Sequence, residues 1–209
     1  MKFFKKATLA ASVFAGLAIS SAAQAQEWSA NVGLLSEYHF RGIVQNSTAT
    51  ANGGVDVEAG GFYAGTWVAD VEEGLEVDLY AGYGFEFDNG LSLGAGVTTY
   101  QYTGDFDTQY DEINLYAGIS YFSLEYTIGE RDGEAFPDDS YTFTGLTFEY
   151  EGLSATAGKF GGDYSGDYVE VGYGTTFEGF DIGVAFILSD SDLDDDETVY
   201  FSIAKSFEL

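Results

Sequence analysis

The chain has 209 residues, 35 of them acidic against seven basic, with 17% aromatic content and no cysteine. That excludes disulfide stapling and thiolate metal centres. It also disfavours nucleic acid and anionic substrates as partners, and favours cations or neutral solutes. The aromatic share is too high for a disordered acidic segment, and the length suits one large domain.

The first segment carries Lys2, Lys5 and Lys6, then a mostly apolar run from Ala7 to Ile19, then Ala23-Gln24-Ala25. This pattern predicts a secretory signal peptide over 1–25, with the mature chain beginning at Gln26. The apolar run is too short and too interrupted for a membrane-spanning helix, and nothing later approaches the required length. Cleavage would leave Arg41, Arg131, Lys159 and Lys205 against all 35 acidic residues, a formal charge of −31.

From residue 28 onward the chain alternates apolar and polar positions, the period of a strand. The strands expected are 28–40, 50–59, 62–70, 75–87, 91–102, 110–120, 121–130, 140–150, 153–161, 167–177, 180–189 and 197–208. The clearest pair runs from Leu75 to Phe87, turns at Asp88-Asn89-Gly90, and returns from Leu91 to Tyr102. An Asn-Gly dipeptide between alternating runs is a hairpin signal. Connections after even-numbered strands are tight, as at Gly60-Gly61, Ser120-Tyr121, Glu151-Gly152 and Glu178-Gly179. Those after odd-numbered strands are mostly longer and polar, notably 42–49, 103–109, 131–139 and 190–196, the connection after the third strand being short. The sole proline, Pro137, falls in one of them.

Alternating loop lengths and an even strand count describe an outer-membrane barrel, with lipid outside and a polar lumen. A soluble sandwich would mix loop lengths and use Greek-key crossings. One face of the first strand carries Trp28, Ala30, Val32, Leu34, Ser36, Tyr38 and Phe40, with aromatics at both ends. At roughly 3.3 Å per residue and a tilt near 40°, that separation projects to about 25 Å, the height of a lipid-facing band. Phe62 and Val68 bracket a similar face, and Phe122, Leu124, Tyr126 and Ile128 form another. The last strand turns Val199, Phe201, Ile203, Phe207 and Leu209 outward, with Lys205 placed to snorkel. The expectation is an all-β fold, a transmembrane antiparallel up-and-down β-barrel of about 12 strands over 26–209, in a Gram-negative outer membrane.

The run Ser36-Glu37-Tyr38-His39-Phe40-Arg41-Gly42-Ile43-Val44-Gln45 resembles the first-strand signature of the TorF-type porin family, proteobacterial outer-membrane proteins of unknown function. Gly61-Phe62-Tyr63-Ala64-Gly65-Thr66-Trp67 and Glu76-x-Asp78-x-Tyr80-x-Gly82 are similar to that family too. The resemblance spans essentially the whole mature chain and implies a porin-type barrel, with no catalytic residue or established substrate. The ending Ser202-x-Ala204-x-x-Phe207-x-Leu209 is similar to the signal read by the barrel-assembly machinery, with alanine where glycine is usual and leucine for the commoner aromatic.

The face opposite the lipid collects Glu37, Asp56, Glu58, Glu76, Asp78, Glu86, Glu112, Glu125, Glu170 and Asp181, interleaved with glycines such as Gly82, Gly94 and Gly96. Carboxylate rings favour cations, and a twelve-strand barrel lies between packed eight-strand barrels and open sixteen-strand porins. The pore-lining candidates are Glu37, His39, Arg41, Tyr63, Trp67, Glu76, Asp78, Tyr80 and Glu112. Tyr100 and Tyr116 share their face. Arg41 is expected to clip luminal acids, with Glu37 or a neighbouring strand's carboxylate as partner, while Tyr38 and Phe40 face the outer interface. An interface arginine bound to lipopolysaccharide phosphate is the alternative.

No enzyme is expected: His39 is the sole histidine, Ser36 lies on the opposite face, and no Gly-x-Ser-x-Gly elbow exists. Asp190, Asp192 and Asp194 alternate like calcium ligands, but position twelve of such a loop is Phe201, so a solvated acidic loop beside lipopolysaccharide fits better. No cofactor is implied. The expected function is passive diffusion of small cationic or neutral solutes through an acidic lumen. The alternative is a structural or surface-interaction barrel with an occluded lumen.

Overall fold

Strict alternation leaves each strand one apolar and one polar face, and closing the sheet lets both faces find their solvent without leaving an edge. A computed structural model describes residues 26–132, 139–194 and 197–209. The expected signal segment, Pro137, Asp195 and Asp196 lie outside those residues.

In chain order the elements are β1 (Glu27–Leu35), β2 (Tyr38–Phe40), β3 (Ile43–Asn46), β4 (Thr50–Ala59), β5 (Phe62–Val71), β6 (Gly74–Glu86) and β7 (Leu91–Thr103). They continue as β8 (Tyr110–Ile119), β9 (Phe122–Arg131), β10 (Asp139–Tyr150), β11 (Leu153–Gly162), β12 (Asp167–Phe177), β13 (Phe180–Ser189) and β14 (Glu197–Glu208). Strands β1 and β4 to β14 form a closed antiparallel barrel of twelve strands, with β14 paired back onto β1. The strand pair β2–β3 stands apart as a two-stranded sheet of its own.

Tight turns collect at one end of the barrel. At Glu151-Gly152 and Glu178-Gly179 both residues hold positive φ, as the two-residue hairpin turns that match strand twist require. The chain enters at this short-turn end through β1 and leaves there through β14. The other end carries the longer connections.

The outer surface is apolar along the strands: Val32, Leu79, Val97, Ile113, Leu124, Val169, Phe186 and Phe201 are all exposed. A soluble monomer does not expose apolar area on this scale, whereas lipid accepts it. Aromatics of this surface concentrate at the short-turn end, where Trp28, Phe62, Phe85, Phe87, Tyr121, Phe122, Phe177 and Phe180 are exposed. Lys205 on β14 sits 4.8 Å from the Phe180 ring centre and 5.9 Å from that of Phe207, an outward cation at an aromatic interface.

The first strand differs from expectation. It ends at Leu35, which pairs with Thr50 of β4 on one side and Ser202 of β14 on the other. At Ser36 the chain bends, and the bend is pinned: Ser36 N–H donates to Phe201 O, and Phe201 N–H donates to Ser36 Oγ, both at 2.8 Å. Tyr38 is therefore buried in the barrel rather than standing at the outer interface, and Phe40 packs against buried residues there. The aromatic band expected at both ends of the first strand exists at its lower end only.

Closed barrels resist detergent because all backbone groups are paired between strands. Unboiled protein is expected to migrate apart from boiled protein in SDS gels, with β-rich circular dichroism. Identical migration together with solubility in detergent-free buffer would contradict the membrane assignment.

Candidate functional site

The strands β2 and β3 and the turn between them form a hairpin that lies inside the barrel and spans it. Phe40 pairs with Ile43, and the two residues between them, Arg41 and Gly42, have φ of 50° and 86°. Gly42 fits because a Cβ there would meet Tyr168 Cβ at 2.8 Å and Leu193 Cδ1 at 2.9 Å. The left-handed backbone and the close wall both demand glycine.

Two apolar clusters hold the hairpin. On one side, buried Leu35, Tyr38, Ala69 and Val71 pack with Phe40, Trp67, Tyr102 and Phe106. On the other, Tyr141, Phe143, Phe160, Tyr168 and Ile187 pack with Ile43, Tyr110, Tyr164 and Leu193. Phe40 thus joins one cluster and Ile43 the other. The Tyr38 ring meets Trp67 edge-on at 5.5 Å, and Phe40 meets Tyr100 at 5.4 Å. Aromatic pairs at such separations add about 0.5–1.5 kcal/mol each beyond the area they bury.

Polar contacts complete the fixation. Arg41 lies at the turn, its side chain only 6% exposed. Its Nη1 donates to Glu112 Oε1 at 2.6 Å, while Nη2 reaches Glu112 Oε2 at 3.2 Å and Glu125 Oε1 at 2.6 Å. The guanidinium also lies 4.3 Å from the Phe143 ring centre and 4.8 Å from that of Phe40. Glu112 further accepts from Tyr141 OH at 2.7 Å, Asn114 Nδ2 at 2.9 Å and Tyr100 OH at 3.0 Å. Tyr38 OH donates to Glu76 Oε1 at 2.6 Å. His39 stacks on Tyr200 with centres 5.6 Å apart, and its Nε2 lies 3.1 Å from Glu37 Oε1. Val44 N–H donates to Asp194 Oδ2 at 2.6 Å, and Glu72 N–H to Gln45 O at 3.2 Å. The hairpin therefore touches the wall from β5 and β6 round to β14.

All nine residues predicted to line the pore face the interior, but they divide into two settings. Glu37, His39, Arg41, Trp67, Glu76, Asp78 and Glu112 belong to the long-loop half, around the hairpin. Tyr63 and Tyr80 belong to the short-turn half, where the interior is half-exposed. There Tyr80 OH donates to Asp56, and Tyr63 lies across Gly82 and Gly96, where any Cβ would collide with its hydroxyl. Those two glycines make room for the Tyr63 ring. Arg41 does clip luminal acids, but its partners are Glu112 and Glu125; Glu37 instead engages His39 and Thr198.

The acidic loop places its carboxylates on backbone groups. Asp190 accepts from Asp192 N–H and Asp167 N–H, and Asp194 caps Val44. Among the described residues no three histidine or carboxylate side chains come together as metal ligands. Sequence reasoning missed the second arm of the hairpin and the roles of Tyr38, Asn114 and Thr127. Phe40-Arg41-Gly42-Ile43, with a glycine at the turn's second position, was the available signal.

The closed sheet, the lipid-type exterior and the polar interior define a twelve-stranded transmembrane β-barrel. The chain belongs to the Gcw_chp family, described as bacterial protein of unknown function, whose model matches residues 20–209. No curated protein sequence matches it. Among solved structures, a chain from work on the mechanism of in-meso crystallization of membrane proteins superposes with a TM-score of 0.60 at 15% identity, covering 88% of this chain and 84% of that one. The KdgM porin superposes with a TM-score of 0.57 at 9% identity, covering 87% of this chain and 99% of that one. KdgM has also been solved in complex with disordered oligogalacturonate (TM-score 0.55). At these identities the likeness is one of fold.

Proposed function

We propose that the protein is a narrow channel of the Gram-negative outer membrane, passing small cationic or neutral solutes by diffusion, in keeping with its resemblance to TorF-type porins. One observation carries this reading: the interior changes character along its axis. In the short-turn half, Asp56, Tyr63, Thr147, Thr156 and Asp181 are half-buried, and Glu58 is exposed. In the long-loop half the β2–β3 hairpin narrows the lumen. A hydrated vestibule behind an in-folded constriction is a channel architecture, and carboxylates on its wall favour cations.

The packing around Arg41 favours a second reading, a barrel whose lumen the hairpin closes and which acts through its acidic loops. Single-channel recording of refolded protein in a planar bilayer separates the two. The channel reading expects discrete conductance steps and a cation-selective reversal potential in a KCl gradient. Asp56→Asn with Glu58→Gln and Asp181→Asn is expected to lower that selectivity about twofold or more, as wall carboxylates are neutralised. Absence of steps supports the occluded barrel. Steps with selectivity unchanged in the triple variant would mean that these acids lie off the path.

A further inference from the structure

Asp78 is fully buried on the inward face of β6, and neither of its carboxylate oxygens meets a donor among the described residues. Its cross-strand neighbours on that face are Trp67 of β5 and Tyr100 of β7. Glu76 stands two residues before it on the same face, satisfied by Tyr38. Glu112 and Glu125, further round the wall, are satisfied by Arg41 and its companions. Each of these neighbouring carboxylates thus has a donor, and Asp78 has none among the described residues.

Charge points the same way. Of the four basic residues beyond the expected signal segment, Arg131 pairs with Asp107, Lys159 pairs with Asp167 at the exposed surface, and Lys205 faces outward. Arg41 is left as the one lysine or arginine among Glu76, Asp78, Glu112 and Glu125. One guanidinium offsets one of these carboxylates and leaves the rest for other cations or protons. A proton on Asp78 removes its charge, yet the carbonyl oxygen that remains still meets no donor among the described residues. A cation satisfies both oxygens at once. The neighbouring aromatic rings add a favourable quadrupole.

We infer that Asp78 is a binding site for a small monovalent cation, held against the interior wall between Trp67 and Tyr100. The site deepens the channel reading and rests on it for the route by which ions arrive. A divalent ion demands several anionic oxygens, whereas Glu76 already accepts from Tyr38 and Glu112 from Arg41, Tyr100, Asn114 and Tyr141.

The test compares urea unfolding of the refolded full chain in KCl and in N-methyl-D-glucamine chloride at equal ionic strength. A ligand that binds only the folded state lowers the unfolding constant by the factor one plus the ligand concentration over its Kd, about tenfold at ten times that Kd. Potassium is expected to stabilise the native protein in this way, and Asp78→Asn to remove the difference. Equal stability in both salts, or a potassium effect that persists in Asp78→Asn, would overturn the inference. If Asp78→Asn does not fold, rubidium-soaked crystals of the native protein decide. An anomalous peak at the Asp78 carboxylate supports the site, and its absence leaves a protonated aspartate. Bilayer conductance without a potassium effect removes the site alone. A potassium effect without conductance removes the channel reading and keeps the site.

Discussion

Arg41→Ala is expected to lower the stability of the refolded barrel by about 3–5 kcal/mol, the range for removing one partner of a buried ion pair. The guanidinium is nearly inaccessible, bridges Glu112 and Glu125, and lies against two aromatic rings. Its loss would leave two carboxylates facing each other with hydroxyls and one amide as their nearest donors. Arg41→Lys is expected to recover only part of the loss, because a point charge cannot serve both carboxylates in the forked geometry. Arg131→Ala is the control. That arginine also meets a carboxylate, Asp107, but its side chain is 32% exposed at the long-loop rim, where such pairs contribute under about 1 kcal/mol. Urea titration of the three variants checks the order. An Arg41→Ala barrel as stable as the parent would mean that the clip contributes nothing.

The barrel was legible because lipid outside and polar interior impose the same period-two rule on every strand. From β4 to β14 the expected strands match to within a residue at either end. The in-folded hairpin was not legible, and the reason is physical. Inside the lumen, Tyr38, His39 and Phe40 are enclosed on both faces, so their alternation no longer reports lipid on one side. A continuous strand over 28–40 and a strand that bends at Ser36 predict the same pattern. What separates them is the register of the neighbours: β4 begins at Thr50 opposite Leu35, so residues beyond Leu35 have no wall partner on that side. The structure places Arg41 at a turn inside the lumen rather than on a face of a wall strand, against Glu112 and Glu125 rather than Glu37. Glu112 lies 71 residues from Arg41 and Glu125 lies 84, and no local pattern encodes contacts across a lumen.

Removing the hairpin is expected to enlarge conductance several-fold while the barrel still closes. Leu35 and Thr50 are directly paired, so residues 36–49 can be replaced by Asn-Gly, the two-residue turn that suits antiparallel strands. All twelve wall strands and their ladders remain intact. The cost is borne by the interior: Tyr141, Phe143, Phe160 and Tyr168 lose Ile43, and Trp67 loses Tyr38 and Phe40. Glu112 and Glu125 lose Arg41 but gain water, so their charge is solvated rather than stranded. Stability is therefore expected to fall less than the number of lost contacts suggests, and less than the strain of an unpaired buried charge would impose. The deletion differs from Arg41→Ala in that respect: the point variant keeps the obstruction and removes its anchor, whereas the deletion removes both. Discrete current steps several times larger than those of the parent, with heat-modifiable migration retained, are the expected result. A folded deletion barrel with parental conductance would show that ions pass elsewhere than through the space the hairpin fills. One that closes but still conducts nothing would assign the block to the wall side chains themselves.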